Sequence, residues 1–489
     1  MRVRFSSLLL LLAFFILPAS AQTETQTCYV EGLSEKLQCG SVSVPLDHQQ
    51  PSGDQIDVHY LVLPAIKPIP NQAPLLAIAG GPGQSAIDNA ALFDKVFTKV
   101  RQTRDILLID QRGTGQSAML ACDEYSLSQQ LAMDDSQVDH SVEIDKCLQQ
   151  QQYPVRWFDT ESGVRDFELV RQALGYPSVH LYGISYGTRA AQVYLKLFPD
   201  LVETTTLDGV VPMQQSVIAI GQAIERGFNM LLQDCQENAN CHNTYPDLVL
   251  RFNDLQARLD KQPENLTVAH PLTAEPSPLT LTKAKLLGAL RLAMYSPTTR
   301  ALIPYAIDAA SRDNFQPLLG LISLSSGAGD MAMGMHLSVI CAEDFHRIDA
   351  TLRESLQASY MGREMLKLFD AACPIWDMPP APEQFSEVLK TDKPVLLLSG
   401  QMDPATPPSW GELATVGLTN AKHLVSPYAA HGVAMQTCAN RLIADFINAG
   451  TLEALELECF DKDTRRSFYL NANSTEPQSF AGESNSDSN

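Results

Sequence analysis

The stretch "LYGISYGT" (181–188) sets Ser185 between Gly183 and Gly187, straight after an apolar run and ahead of the helix-forming "RAAQVYLKLF". A hydroxyl is a weak nucleophile, and a sharp strand-to-helix turn walled by glycines is one way a chain exposes and activates it. The helix that follows aims its positive end at the developing oxyanion. Such a serine needs a base, and in this kind of elbow an acid and then a histidine follow it in chain order. "LLLSGQMDPATPP" puts Asp403 just past one apolar run, and "LVSPYAAHGVA" puts His431 just past the next. Of the ten histidines, His431 is the one in a glycine-flanked, post-strand position downstream of the acid. Asp208 in "LDGVVP" also ends a strand and is the rival acid; Asp403 is preferred because Asp208 suits a role in bracing its own turn. A tetrahedral intermediate also needs backbone donors. "AIAGGPGQS" offers the N–H of Gly81 from a loop nearly free of side chains, and Tyr186 offers its N–H as the residue after the nucleophile. A phosphate-binding loop is a poor reading of those glycines, since no lysine follows at P-loop spacing and the pattern is not G-x-G-x-x-G.

These residues need a frame. "PLLAIAG", "DILLIDQ", "SVHLYGIS", "VETTTLDG", "PVLLLSG" and "KHLVSP" are short, nearly unbroken apolar runs of the kind found in strands buried on both faces. Helical stretches separate most of them; "ESGVRDFELVRQALG" (161–175) has apolar residues at helical spacing and a stop at Gly175. The alternation predicts an α/β fold with a mostly parallel central sheet and helices on both faces. Ahead of it, "GSVSVPLDH" and "QIDVHYLVLPAI" alternate like half-buried strands. About 180 mainly helical residues separate "TTTLDGVVP" from "PVLLLSGQMDP", too many for a crossover connection and suited to an inserted helical cap. The expected organisation is a signal peptide at 1–21, core at 22–211, cap at 212–380, core again at 381–470 and a disordered, weakly hydrophobic tail at 471–489.

Composition narrows the setting. A formal net charge of −21 excludes the basic surface that nucleic acid requires. Arg2 and Arg4, the apolar run 8–17 and "PASAQ" have the form of an export signal cut after Ala21. The run is short for a membrane span, so no stable membrane insertion is expected, and a periplasmic or extracellular location follows. Ten cysteines in an exported chain argue for disulfides. Their spacing favours sequential partners: Cys28–Cys39, Cys122–Cys147, Cys235–Cys241, Cys341–Cys373 and Cys438–Cys459. "CQENANCHN" lacks the second ligand pair of a zinc site, and no metal or cofactor is implied.

Taken together, "AGGPGQS", "DQRGTGQS" (110–117), "GISYGT" and "HGVAMQTC" resemble the proline-iminopeptidase-like family of α/β-hydrolases, most of all its secreted prolyl and tripeptidyl aminopeptidase branch with a characteristic C-terminal segment. The likeness runs from about residue 40 to 460. One departure is Ala79, where the family usually has histidine before the glycine pair. The resemblance implies a serine peptidase acting on peptides with a free N-terminus, releasing one residue or a short piece. It also implies a cap carboxylate for the substrate's ammonium. "SVICAEDF" (338–345) supplies Glu343 and Asp344 beside Cys341; the related branch carries an acid two positions after its cysteine, which favours Glu343. An esterase with the same triad, and a binding protein that has lost catalysis, are the competing readings.

Overall fold

The computed structural model describes residues 25–123, 125–325, 331–453 and 455–477. The expected signal peptide lies outside them. Nine strands form the central sheet: β1 (Gln26–Cys28), β2 (Leu37–Pro45), β3 (Gln55–Leu63), β4 (Leu75–Ile78), β5 (Ile106–Ile109), β6 (Val179–Ile184), β7 (Val202–Asp208), β10 (Val395–Gly400) and β11 (Ala421–Ser426). Two of the remaining strands, β8 (Glu264–Ala269) and β9 (Pro276–Leu281), form a hairpin within the cap. The sheet order is β1-β2-β3-β5-β4-β6-β7-β10-β11. From β5 to β11 neighbours run parallel, and β1, β2 and β3 add an antiparallel flank. This is the strand order of an α/β-hydrolase.

The apolar runs end up where their composition demands. β4, β5 and β10 are buried at every position, with helices covering both faces. β11 departs from the expectation of burial on both faces: it is the sheet edge, mostly half-buried, with Val425 exposed. Strand order reverses at β4, between β5 and β6, and in open sheets that crevice at the strands' carboxyl ends is where ligands bind. The loops after β4, β6, β10 and β11 all open there.

Between β7 and β10 the chain builds the cap, chiefly from the helices Ile220–Glu237, Leu248–Lys261, Lys283–Ala293, Ile303–Ala310, Met333–Glu343 and Tyr360–Trp376. It has its own apolar centre, in which Ile224, Phe228, Leu231, Phe252, Leu290 and Ile307 pack together. A second segment contributes as well. Residues 126–149, tied back by the Cys122–Cys147 disulfide, lie against the cap through Leu131 and Ile144. The expected tail from 471 begins differently: β12 (Tyr469–Asn471) and β13 (Ser474–Thr475) pair as a hairpin, and buried Phe468 joins the cap's apolar centre. Tyr469 donates its N–H to the Ala301 carbonyl and accepts the Tyr245 hydroxyl at its own, so cap contacts order the chain there despite its polar composition. Residues 478–489 lie outside the described part. The ten cysteines pair in sequence order, as five disulfides with Cα separations of 5.0 to 6.2 Å.

Cap and core are tied by charge at one buried place. Arg189, on the helix after the nucleophile (Tyr186–Leu197), donates to both oxygens of Asp344 at 2.8 and 3.1 Å. Asp344 also accepts from Arg347 and from the Val217 N–H. Removing one partner of such a pair leaves a buried charge uncompensated, which costs about 3–5 kcal/mol. Asp344→Ala is therefore expected to lower the thermal midpoint sharply in calorimetry, and a midpoint within a degree of wild type would contradict the tie.

Candidate active site

β6 ends in the turn that carries Ser185. Its φ of 56° and ψ of −128° are strained for a residue with a Cβ and lift the side chain clear of the sheet. The turn is so tight that a Cβ on Gly183 would sit 2.2 Å from the Gly187 carbonyl oxygen, and one on Gly187 would sit 2.4 Å from that of Ile78. Glycine at both positions is a steric requirement. The Ser185 N–H donates to the Asp208 carbonyl at 2.9 Å, and Thr188 returns both its N–H and its hydroxyl to the Ser185 carbonyl, holding the strained residue on both sides.

Asp403 and His431 come together from the loops after β10 and β11, with Nδ1 of His431 2.9 Å from Oδ2 of Asp403. That contact fixes the proton on Nδ1 and leaves Nε2 as the basic nitrogen. Asp403 is fully buried. Burial alone would raise its pKa, but the nearby His431 and the N–H groups of Ala405 and Thr406 outweigh that and hold it below the ordinary value. Burial also works against the charged form of His431, but the Asp403 carboxylate prevails and its pKa lies above the usual 6.5. Thr406 donates its hydroxyl to Asp403 at 2.7 Å, so the acid is held from several sides. The rival Asp208 has other work. It accepts Tyr182 Oη–H at 2.8 Å and the N–H groups of Val433 and Ala434 at 2.7 and 2.9 Å, which anchors the chain just after His431.

Ser185, His431 and Gly81 line one cavity of about 580 Å³ at the strand switch point. Gly81 has φ of 107°, which favours glycine, and a side chain there would run into the backbone of Gly83. The loop is braced from below by Asp110, which accepts the Ser85 hydroxyl at 2.6 Å and the Ile87 N–H at 3.1 Å. It is held from above by the cap, where Ala332 donates its N–H to the Gly83 carbonyl. The N–H of Tyr186 opens a helix and so has no partner within it. Its side chain turns inward, where its hydroxyl meets Thr160 at 2.6 Å and Gln111 at 3.0 Å. The arrangement has the parts for acyl transfer: a raised hydroxyl, an oriented imidazole, a buried acid and two backbone donors.

Glu343 and Asp344 do not join it. Their side chains are 1% and 0% exposed, and neither lines the cavity with Ser185. Asp344 is saturated by Arg189 and Arg347. Glu343 accepts the Thr160 N–H at 2.8 Å, lies 3.6 Å from Arg189, and borders a separate cavity with His48 and Trp157. Burial outweighs Arg189 and pushes the Glu343 pKa up to about 7. The expectation that these acids bind a substrate amine at Ser185 is therefore corrected: Asp344 is paired with Arg189 beneath the elbow helix, and Glu343 is buried beside that pair, away from the cavity. The pattern "CAED" could not show this, because the partner stands 155 positions away.

The cavity also contains residues that local pattern gave no reason to select. The Tyr295 ring meets the His431 ring edge-on, with centroids 4.9 Å apart. Arg291, one helical turn before Tyr295, lines the same space, as does His336, whose Nδ1 lies 3.2 Å from the Pro82 carbonyl. Burial pushes the His336 pKa down to about 4, so this ring is neutral near pH 7. All three come from the cap.

The pH dependence follows. A general base must be neutral, so hydrolysis should fall as pH drops through the raised pKa of His431, with the acidic limb of kcat/KM centred above 6.5. Asp403→Asn should cost about 10⁴-fold in kcat by removing the group that orients the ring. Asp208→Asn should chiefly lower stability, and a larger kcat loss from Asp208→Asn than from Asp403→Asn would reverse the two assignments.

Residues 358–459 match the family described as TAP-like protein. The chain is 24% identical to serine protease Hip1 of Mycobacterium tuberculosis, over 86% of this chain and 87% of that one. It is 24% identical to a tripeptidyl aminopeptidase of Streptomyces lividans, over 92% and 88%. Over a shorter stretch, 42% of each chain, it is 30% identical to carboxylesterase B of Mycobacterium tuberculosis. With its strand order and cavity, these likenesses identify the chain as a serine hydrolase of the α/β-hydrolase fold carrying a TAP-like C-terminal segment.

Proposed function

We propose that the protein is an exported serine peptidase of the tripeptidyl aminopeptidase type, cleaving peptides close to a free N-terminus. The observation that carries this reading is the elbow serine and the Asp403–His431 pair opening into a cavity roofed by the cap. His431 Nε2 takes the proton of Ser185 as Oγ attacks the scissile carbonyl carbon. The N–H groups of Gly81 and Tyr186 receive the oxyanion. The imidazolium, steadied by Asp403, passes that proton to the departing amine, and water activated by the same nitrogen then hydrolyses the acyl-enzyme. No step draws on a metal or cofactor. Peptides are the partners, and the likeness to Hip1 and the tripeptidyl aminopeptidase over most of the chain supports peptide bonds as the target.

Free-N-terminus specificity follows from confinement. A cavity of about 580 Å³ bounded by cap helices has room for a few residues and little for a chain running through. Export agrees with five disulfides, which persist in oxidising compartments, and with the signal-like N-terminus. Among the described residues, no helix is long and apolar enough to cross a membrane.

A carboxylesterase is the second reading. The cavity walls include Leu92, Phe93, Val96, Leu292 and Met435, and among the described residues lining it none is acidic. A paired assay separates the two. Tripeptidyl amides with a free amine should be hydrolysed at least tenfold faster, in kcat/KM, than the same compounds carrying a bulky N-terminal block. Equal rates, or turnover of simple esters with amides untouched, would favour the esterase.

A further inference from the structure

The catalytic cavity holds a cation that meets no counter-charge among the described residues. Arg291 extends from the cap helix Lys283–Ala293 into the space shared by Ser185 and His431. Among the described residues, the one hydrogen bond its guanidinium makes is to a neutral group, the Tyr295 hydroxyl, at 3.3 Å. Its guanidinium carbon lies 5.9 Å from the centre of the Tyr295 ring. Its Nε is buried with no acceptor. Among the described residues no carboxylate comes within 4.0 Å of the guanidinium, whereas Arg112, Arg171, Arg189 and Arg300 all meet acids. Its charge is felt at both cavity histidines, where it works against protonation of His336 and of His431.

A partly desolvated guanidinium without an anion is unfavourable, and its planar fork of donors matches a carboxylate. A chain with 56 acidic residues had many ways to place one here. We propose that Arg291 is a specificity-determining residue that receives a carboxylate of the substrate, so that the enzyme prefers acyl substrates with an anionic group close to the scissile carbonyl. The Tyr295 ring neighbours both groups, its centre 4.9 Å from that of the His431 ring and 5.9 Å from the Arg291 guanidinium carbon, so a carboxylate held by Arg291 lies close to the general base. An acidic side chain on the acyl residue, or the free terminal carboxylate of a short leaving peptide, presents the same chemistry. This inference rests on the serine-hydrolase reading of the site.

The test uses the full-length mature protein and two matched substrate pairs. One pair has Glu or Gln as the acyl residue of a tripeptidyl amide; the other has a leaving dipeptide ending in a carboxylate or in an amide. In at least one pair the carboxylate form should be favoured about tenfold or more in kcat/KM, the range of a charge-assisted hydrogen bond. The pair that responds identifies which carboxylate is read. Arg291→Gln should bring that ratio to about one, mainly through KM, and should move the acidic limb of the pH profile upward because a positive neighbour of His431 is gone. Arg291→Lys should restore part of the preference, and the thermal midpoints of both variants report whether they fold. Ratios near one in both pairs for wild type, or a preference that survives Arg291→Gln, overturn the inference while leaving the hydrolase reading intact. If Ser185 resists a fluorophosphonate probe and no substrate turns over, the hydrolase reading fails and this inference falls with it.

Discussion

The strained backbone at Ser185 is the constraint on which the other parts depend. A residue with a side chain is held at positive φ at the head of a helix, a conformation that persists only when its surroundings over-determine it. β7 supplies the Asp208 carbonyl, Thr188 closes the turn from above, and the contact between Gly183 and Gly187 lets the strand and helix meet within it. The same turn places the Tyr186 N–H beside the hydroxyl. Nucleophile and oxyanion donor are therefore positioned by one piece of geometry, and relaxation of the turn would misplace both.

The elbow helix is in turn held to the cap by charge. Arg189, one turn past the nucleophile, faces Asp344 and Glu343 where the cap helix Met333–Glu343 ends. Glu343 also accepts the Thr160 N–H, and the Thr160 hydroxyl meets that of Tyr186. A chain of contacts thus joins the end of the cap helix to the residue next to the nucleophile. The start of that helix reaches the oxyanion loop through the Ala332–Gly83 hydrogen bond and through His336 at Pro82. One cap helix consequently braces both sources of oxyanion donors, one at each end. The Cys341–Cys373 disulfide ties its last turn to the helix Tyr360–Trp376 and stiffens the brace.

The elbow at Ser185 and the meeting of Asp403 with His431 were readable because each residue lies just past a strand, a buried one for Ser185 and Asp403 and the sheet edge for His431, and strand composition and chain order leave local traces. Unbroken apolar runs marked the strands, and glycines marked the tight backbone. The role of "SVICAEDF" was not readable, since whether a carboxylate meets a substrate or an arginine depends on what the fold brings to it from far away in the chain. The cap residues of the cavity were hidden for the same reason. Arg291 and Tyr295 sit in an ordinary helical stretch, and only the placement of the cap over the sheet turns them toward His431. The hairpin at 469–475 was hidden by polar composition, since its anchorage to the cap rests mainly on Phe468 and Tyr469.

The contrast between the whole chain and its cavity bears on how substrates are chosen. A net charge of −21 repels anions at long range, but at physiological ionic strength that repulsion fades within about 8 Å. Inside the cavity the balance is reversed: the described wall residues include Arg291 and no acid, and the dielectric is lower than in bulk water. Long-range charge therefore bears on the rate of encounter, whereas the groups around Ser185 govern what is held once water is displaced. Asp344 is paired with Arg189 and Glu343 is buried beside it, so neither acid reaches the cavity at Ser185. Selection there falls to the cap's side chains, and among the charged ones it falls to a cation.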